Sequence, residues 1–149
     1  MAQSLSKVYI HLVFSTKNRE PLIADEWQPD LWAYLAGAIQ GQKCFAHRIG
    51  GVRDHVHILF EQHRTTSLSK VVGEIKSETS KWIKAQKGVN QFAWQAGYGA
   101  FSVSASNVEE VKSYIDQQAS HHQKKTFQDE FREFLSRYGV EYDERYVWD

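Results

Sequence analysis

The order and period of the apolar residues predict an α+β domain whose core runs β-α-β-β-α-β around an antiparallel sheet. Three observations carry this expectation. Strict apolar alternation marks strands at Lys7 to Ser15 and at His55 to Glu61. A stripe at helical spacing begins near Ser67 and lasts roughly five turns. The turn before His55 is too short for a crossover, so the second and third strands pair antiparallel.

Each element follows in order. In the first strand Val8, Ile10, Leu12 and Phe14 share one face, and Tyr9, His11 and Val13 point the other way. After a loop through Asn18 to Pro21, a helix is predicted from Trp27 to Gln40. Pro29 is tolerable in its first turn, and Trp32, Leu35, Ala36 and Ile39 form its apolar stripe. The second strand spans Lys43 to Ile49 and is expected to end at Gly50-Gly51. Ser67 caps the second helix, which continues to Gln86 with Leu68, Val71, Val72, Ile75, Thr79, Trp82 and Ile83 on one side. Gly88 to Gln95 reads as a loop. Tyr98 to Ser104 is the fourth strand, with Phe101 and Val103 inward. Asn107 with Glu110 resembles a capping box opening a helix to about His122, and Thr126 opens a last helix that stops at Gly139. This order is ferredoxin-like, with two helices on one sheet face and the other face open. The division expected is one domain over 1–149: a core to 105, a helix over 106–124, and a C-terminal helix and tail over 125–149.

The chain has 149 residues, 18 basic and 18 acidic, so its net charge is zero. That argues against a protein coating duplex DNA by bulk electrostatics. Charge is nevertheless segregated. Arg64, Lys70, Lys76, Lys81, Lys84 and Lys87 make the middle basic, and the tail from Asp129 is acidic. The basic stretch reads either as an anion-binding surface or as a solvated face. Cys44 is the single cysteine, which excludes an internal disulfide and a cysteine zinc site. With no apolar leader in Met1 to Lys7 and no stretch of about 20 apolar residues, the expectation is a cytoplasmic protein.

Two motifs carry chemistry. In His55-Val56-His57 both imidazoles lie on one strand face, and if Val56 joins the core they project from the open side. Two rigidly held neutral imidazoles make half a metal site. Alone, the pair is weak evidence for metal and reads first as two polar residues on a wet sheet face. Tyr114 and Gln118 stand four apart on one helix face. Alone, Tyr114 reads as an amphipathic core aromatic beside Val111 and Ile115.

Together, these motifs resemble the HUH nucleases, in which an apolar residue separates two histidines. The match is to their single-tyrosine branch, the insertion-sequence-200-like transposases. There the histidine pair lies in a strand of a ferredoxin-like core, and a Tyr-x-x-x-Gln motif follows on a later helix. Further similarity lies in His11 to Lys17, Asp54, Ser80 to Ile83, Trp94 to Ser102 and the ending Tyr142 to Asp149, so it covers nearly the whole chain. The resemblance implies Tyr114 as nucleophile and His55, His57 and Gln118 as ligands of a divalent metal. Magnesium or manganese is expected, manganese suiting the imidazoles better. It also implies cleavage and rejoining of single-stranded DNA with hairpin ends, through a 5′-phosphotyrosine. A homodimer with shared active sites is implied as well. No nucleotide cofactor is expected, because no phosphate-binding glycine motif is present. Lys70, Lys76, Lys81 and Lys84 are the candidate DNA-binding residues. Two other readings stay open: a domesticated relative that processes chromosomal palindromes, and a non-catalytic nucleic-acid-binding module. His121 and His122 either complement a helix C-terminus or contact DNA.

Overall fold

A computed structural model describes residues 2–149. Four strands, β1 (Tyr9–Ser15), β2 (Phe45–Gly51), β3 (His55–Glu61) and β4 (Gly99–Val103), form one sheet in the order β2-β3-β1-β4. Every neighbouring pair is antiparallel. This is the α+β arrangement that the alternation predicts. The register sets Val13 opposite His57 and Ser15 opposite His55, so His11, Val13, His55, His57 and Leu59 share one sheet face.

Helices α1 (Gln28–Gly41) and α2 (Leu68–Lys87) cover the opposite face. Leu12, Phe14, Val56, Ile58 and Phe60 pack there with Leu35, Ile39, Val71, Val72, Ile75 and Ile83. The caps follow the sequence. Ser67 Oγ accepts the Lys70 N–H at 3.2 Å, and Gly88 closes α2 in the left-handed region at φ 69°.

The histidine face is not open. It is covered by α3 (Val108–Asp116), α4 (Gln118–His121) and α5 (Phe127–Arg137). Val13 and Phe101 pack there with Phe127, Phe131, Phe134 and Leu135, and Leu59 and Val103 pack with Val108 and Ile115. Phe101 and Val103 are thus inward, but in this second core. Two glycines permit the covering helices to lie so close. A Cβ on Gly50 would stand 2.9 Å from the Ile115 carbonyl oxygen on α3, and one on Gly99 would stand 2.5 Å from the Phe131 ring on α5. Strand β2 accordingly runs through Gly50 and Gly51 instead of ending there.

Two helix expectations are corrected. The expected helix to His122 breaks at Gln117 (φ −99°, ψ 17°), whose N–H bonds the Ser113 and Tyr114 carbonyls at 3.2 Å each. Asn107 makes no side-chain cap, because a short 3-10 turn over Ala105–Asn107 leads into α3 instead. Thr126 does cap α5, accepting the Asp129 N–H at 3.2 Å. The tail then folds back: Arg132 pairs with Glu144 at 2.7 Å, and the Asp149 carbonyl accepts the Gly97 N–H at 2.9 Å.

Among the candidate DNA-binding lysines, Lys76 is occupied within the protein. Its ammonium donates to the carbonyls of Gln95, Ala96 and Gly97 at 2.8, 3.3 and 2.6 Å. Burial lowers its pKa to about 8. It ties the loop before β4 to α2 and has no donor left for a phosphate. Lys76→Met is expected to cost about 2–4 kcal/mol, lowering Tm by roughly 5–15 °C without changing the salt dependence of any DNA binding. Thermal melts followed by circular dichroism check this, and an unshifted Tm would show that the clasp is not structural.

Candidate active site

Strand alternation delivers His55 and His57 to one spot, and the break at Gln117 turns Gln118 and His122 toward them. Both strand histidines are fully buried. Asp54 Oδ1 accepts the His55 Nδ1–H at 2.6 Å, which leaves His55 Nε2 as a lone pair. That lone pair faces Gln118 Oε1 at 3.1 Å. The amide orientation is set from its other end, where Gln118 Nε2–H donates to Glu130 Oε2 at 3.4 Å. Two acceptors pointing at one another are the mark of a cation site.

Glu130 stands at the centre of the cluster. It is 2% exposed, and its Oε1 lies 2.9 Å from His57 Nε2, 3.2 Å from His122 Nε2 and 3.6 Å from His55 Nε2. One ligand atom from each of His55, His57, His122 and Glu130 lies within 4.8 Å of all the others. An ion roughly 2.0–2.4 Å from each ligand would leave them no more than about 4.8 Å apart. The donor set therefore fits a divalent cation. His57 is oriented from behind by His11, whose Nε2 lies 2.8 Å from His57 Nδ1. The other Glu130 oxygen accepts the Tyr114 hydroxyl. Tyr114 and Gln118, paired in the sequence by spacing alone, both reach this carboxylate.

The electrostatics follow from burial. Desolvation pushes His57 down to about 4, against the opposing hydrogen bond to Glu130, so its ring is neutral at pH 7 and able to bind metal. Burial and the neighbouring His57 hold His11 well below its ordinary value. Burial alone would raise Glu130, but hydrogen bonds from His122 and His57 overcome it and keep the carboxylate ionised. His122 is raised, because its Glu130 hydrogen bond outweighs its own desolvation. Burial and the Glu130 charge raise the Tyr114 phenol, which is therefore neutral at rest.

A stability profile tests these assignments. Unfolded His57 takes up a proton near pH 6.5 and the folded residue only near 4, so metal-free protein loses stability as pH falls through that window. His57 accounts for about 3 kcal/mol of the loss, with His11 adding in the same direction. His122 contributes fully below its unfolded value and stays constant there. Glu130, depressed, is lost only at lower pH. Melting temperatures across pH 7 to 4 measure this, and a flat profile would mean that the two imidazoles are not buried neutral.

Sequence reasoning missed Glu130 and left His122 unassigned. Glu130 did leave a signal: it sits in the apolar stripe of Phe127, Phe131, Phe134 and Leu135, where a carboxylate needs a buried partner. The lysines are placed elsewhere. Lys70, Lys81 and Lys84 are exposed on α2, in the layer beyond the sheet from Tyr114.

The architecture is thus a ferredoxin-like sheet whose paired strand histidines meet a tyrosine-bearing helix, the framework of a single-tyrosine transposase. Residues 4–118 match the family described as "Transposase IS200 like", and the chain belongs to that family of DNA transposases. The fold is also similar to that of a protein of Deinococcus radiodurans R1 described as a transposase. That likeness has TM-score 0.63 and 20% identity, and it covers 79% of this chain and 98% of the other. A REP-associated tyrosine transposase bound to a REP hairpin matches with TM-score 0.60 and 14% identity, over 82% of this chain and 73% of the other. No curated protein matches the chain. No helix among the described residues is long and apolar enough to cross a membrane.

Proposed function

We propose that this transposase cleaves and rejoins single-stranded DNA, with Tyr114 as the nucleophile and His55, His57 and Gln118 as metal ligands, joined by His122 and Glu130. The observation that carries the reading is the shared carboxylate: Glu130 accepts the Tyr114 hydroxyl with one oxygen and faces three imidazoles with the other. A phosphate presented to this centre would meet nucleophile and cation together. Tyr114 forms a bond from its oxygen to phosphorus, and its proton passes through Glu130 to the departing 3′ oxygen. The bond to the 3′ oxygen breaks, leaving a 5′-phosphotyrosine and a free 3′-OH. Rejoining is the reverse attack by a 3′-OH, which restores the phenol, so no ATP is consumed.

A divalent ion held by these residues would neutralise the phosphate oxygens and stabilise the phenolate that burial disfavours. The imidazoles suit manganese better than magnesium. The fold-level likeness to a hairpin-bound transposase supports a hairpin-ended substrate. Tyr114 meets the histidines of its own chain, with ring centroids of Tyr114 and His57 5.7 Å apart. This differs from the shared site that the family resemblance implies, so we take each site as formed within one chain, whether or not the protein dimerises. Incubating the protein and manganese with labelled single-stranded DNA from the flanks of its own gene is expected to give a covalent adduct. No adduct with any flank strand would defeat the proposal.

A further inference from the structure

Tyr114 opens onto a cleft that shares only Glu130 with the proposed metal ligands. It has a volume of about 490 Å³ and lies between α4, the turn over 122–126 and α5. This is within the range of about 300–1,000 Å³ typical of binding sites. Its charged lining is unbalanced. Lys125 is matched by Glu133 at 2.6 Å, and Glu130 is engaged by the histidines. Lys124 and Arg137 are exposed, and among the described residues neither side chain has a hydrogen-bond or ion-pair partner. The Arg137 guanidinium is held in place over the Phe134 ring, 5.6 Å from its centre. His121 stacks on Tyr114 with ring centroids 4.6 Å apart, and its Nε2 is buried without a partner. A second hollow of about 260 Å³ is also bordered by both Tyr114 and Arg137. A chain drawn past the tyrosine therefore meets the same guanidinium in either hollow.

Two unpaired cations and an orphaned imidazole nitrogen around a nucleophile call for an anion that is also a hydrogen-bond partner. We infer that this cleft receives the single-stranded DNA backbone beside the bond that Tyr114 attacks. Lys124 and Arg137 hold its phosphates, and His121 Nε2 bonds an oxygen of the nucleotide. The inference rests on the proposed function and moves the strand from α2, whose lysines lie beyond the sheet, to the α4–α5 side.

The test uses full-length protein in EDTA, so that cleavage cannot interfere, and a fluorescein-labelled 20-residue oligothymidylate as probe. Binding is measured against salt, where each lost phosphate contact on a single strand reduces the log–log slope by about 0.7. Lys124→Ala/Arg137→Ala is expected to reduce the slope by about 1.4 and each single variant by about half of that, with circular dichroism unchanged. The triple variant Lys70→Ala/Lys81→Ala/Lys84→Ala is expected to keep the full slope. A double variant that retains the full slope, or a loss confined to the triple variant, would overturn the inference. The outcome is independent of catalysis. A missing adduct from unsubstituted protein defeats the cleavage reading, and the slopes still locate the strand.

Discussion

Tyr114→Phe is expected to abolish the covalent protein–DNA adduct, a loss of at least about 10³-fold, while DNA binding persists. The change keeps the ring, its stack on His121 and its edge contact with Phe134, and removes only the hydroxyl. Because that hydroxyl donates to Glu130, stability should fall by about 1–2 kcal/mol. An adduct formed by the phenylalanine variant would show that another tyrosine is the nucleophile. The same variant reports on how sites are assembled. If each site draws Tyr114, His55 and His57 from one chain, as proposed, mixing Tyr114→Phe with His57→Ala protein should restore nothing. Recovered cleavage after subunit exchange would mean that the tyrosine helix crosses to a partner, as the family resemblance implies.

The second large effect lies in the proposed metal site. His55→Ala and His57→Ala should each eliminate cleavage, and Glu130→Gln should weaken manganese binding by about 10–100-fold. Manganese titration by calorimetry or electron paramagnetic resonance reads this without any catalytic step. The histidine variants will not be structurally silent, as they would be on an open sheet face. His57 is fully buried between His11 and Glu130, and its removal leaves a cavity and takes one hydrogen-bond partner from a carboxylate that keeps His122 and Tyr114. A cost of about 2–4 kcal/mol follows from the cavity and the lost buried hydrogen bond. Glu130→Gln keeps the side chain's shape, so it separates lost metal affinity from lost fold. Unchanged manganese affinity in both His57→Ala and Glu130→Gln would remove the centre from these residues.

Much of the site was legible because its parts obey local periods. The two-residue repeat of a strand puts His55 and His57 on one face whatever packs above them, and the helical repeat sets Tyr114 near Gln118. Gln118 still reaches Tyr114 although the helix breaks between them, since the break changes the direction of only one turn. Asp54 was legible as a neighbour of His55. Its hydrogen bond, which sets the imidazole tautomer, was not.

By itself the sequence determined the strands and most of the helices, the antiparallel pairing of the second and third strands, the face carrying the histidines and the pair of motifs that mark the family. Each rests on residues within a few positions of one another, where backbone geometry alone dictates direction. Only the tertiary structure decided that the histidine face is buried and that Glu130 and His122 complete the cluster. Those facts depend on α5 folding back over a sheet laid down far earlier in the chain, His57 meeting Glu130 across 73 positions. A contact at that separation leaves no period in the sequence. It is set by the packing of Phe127, Phe131 and Phe134 on the sheet, and the carboxylate among them goes wherever those rings seat the helix.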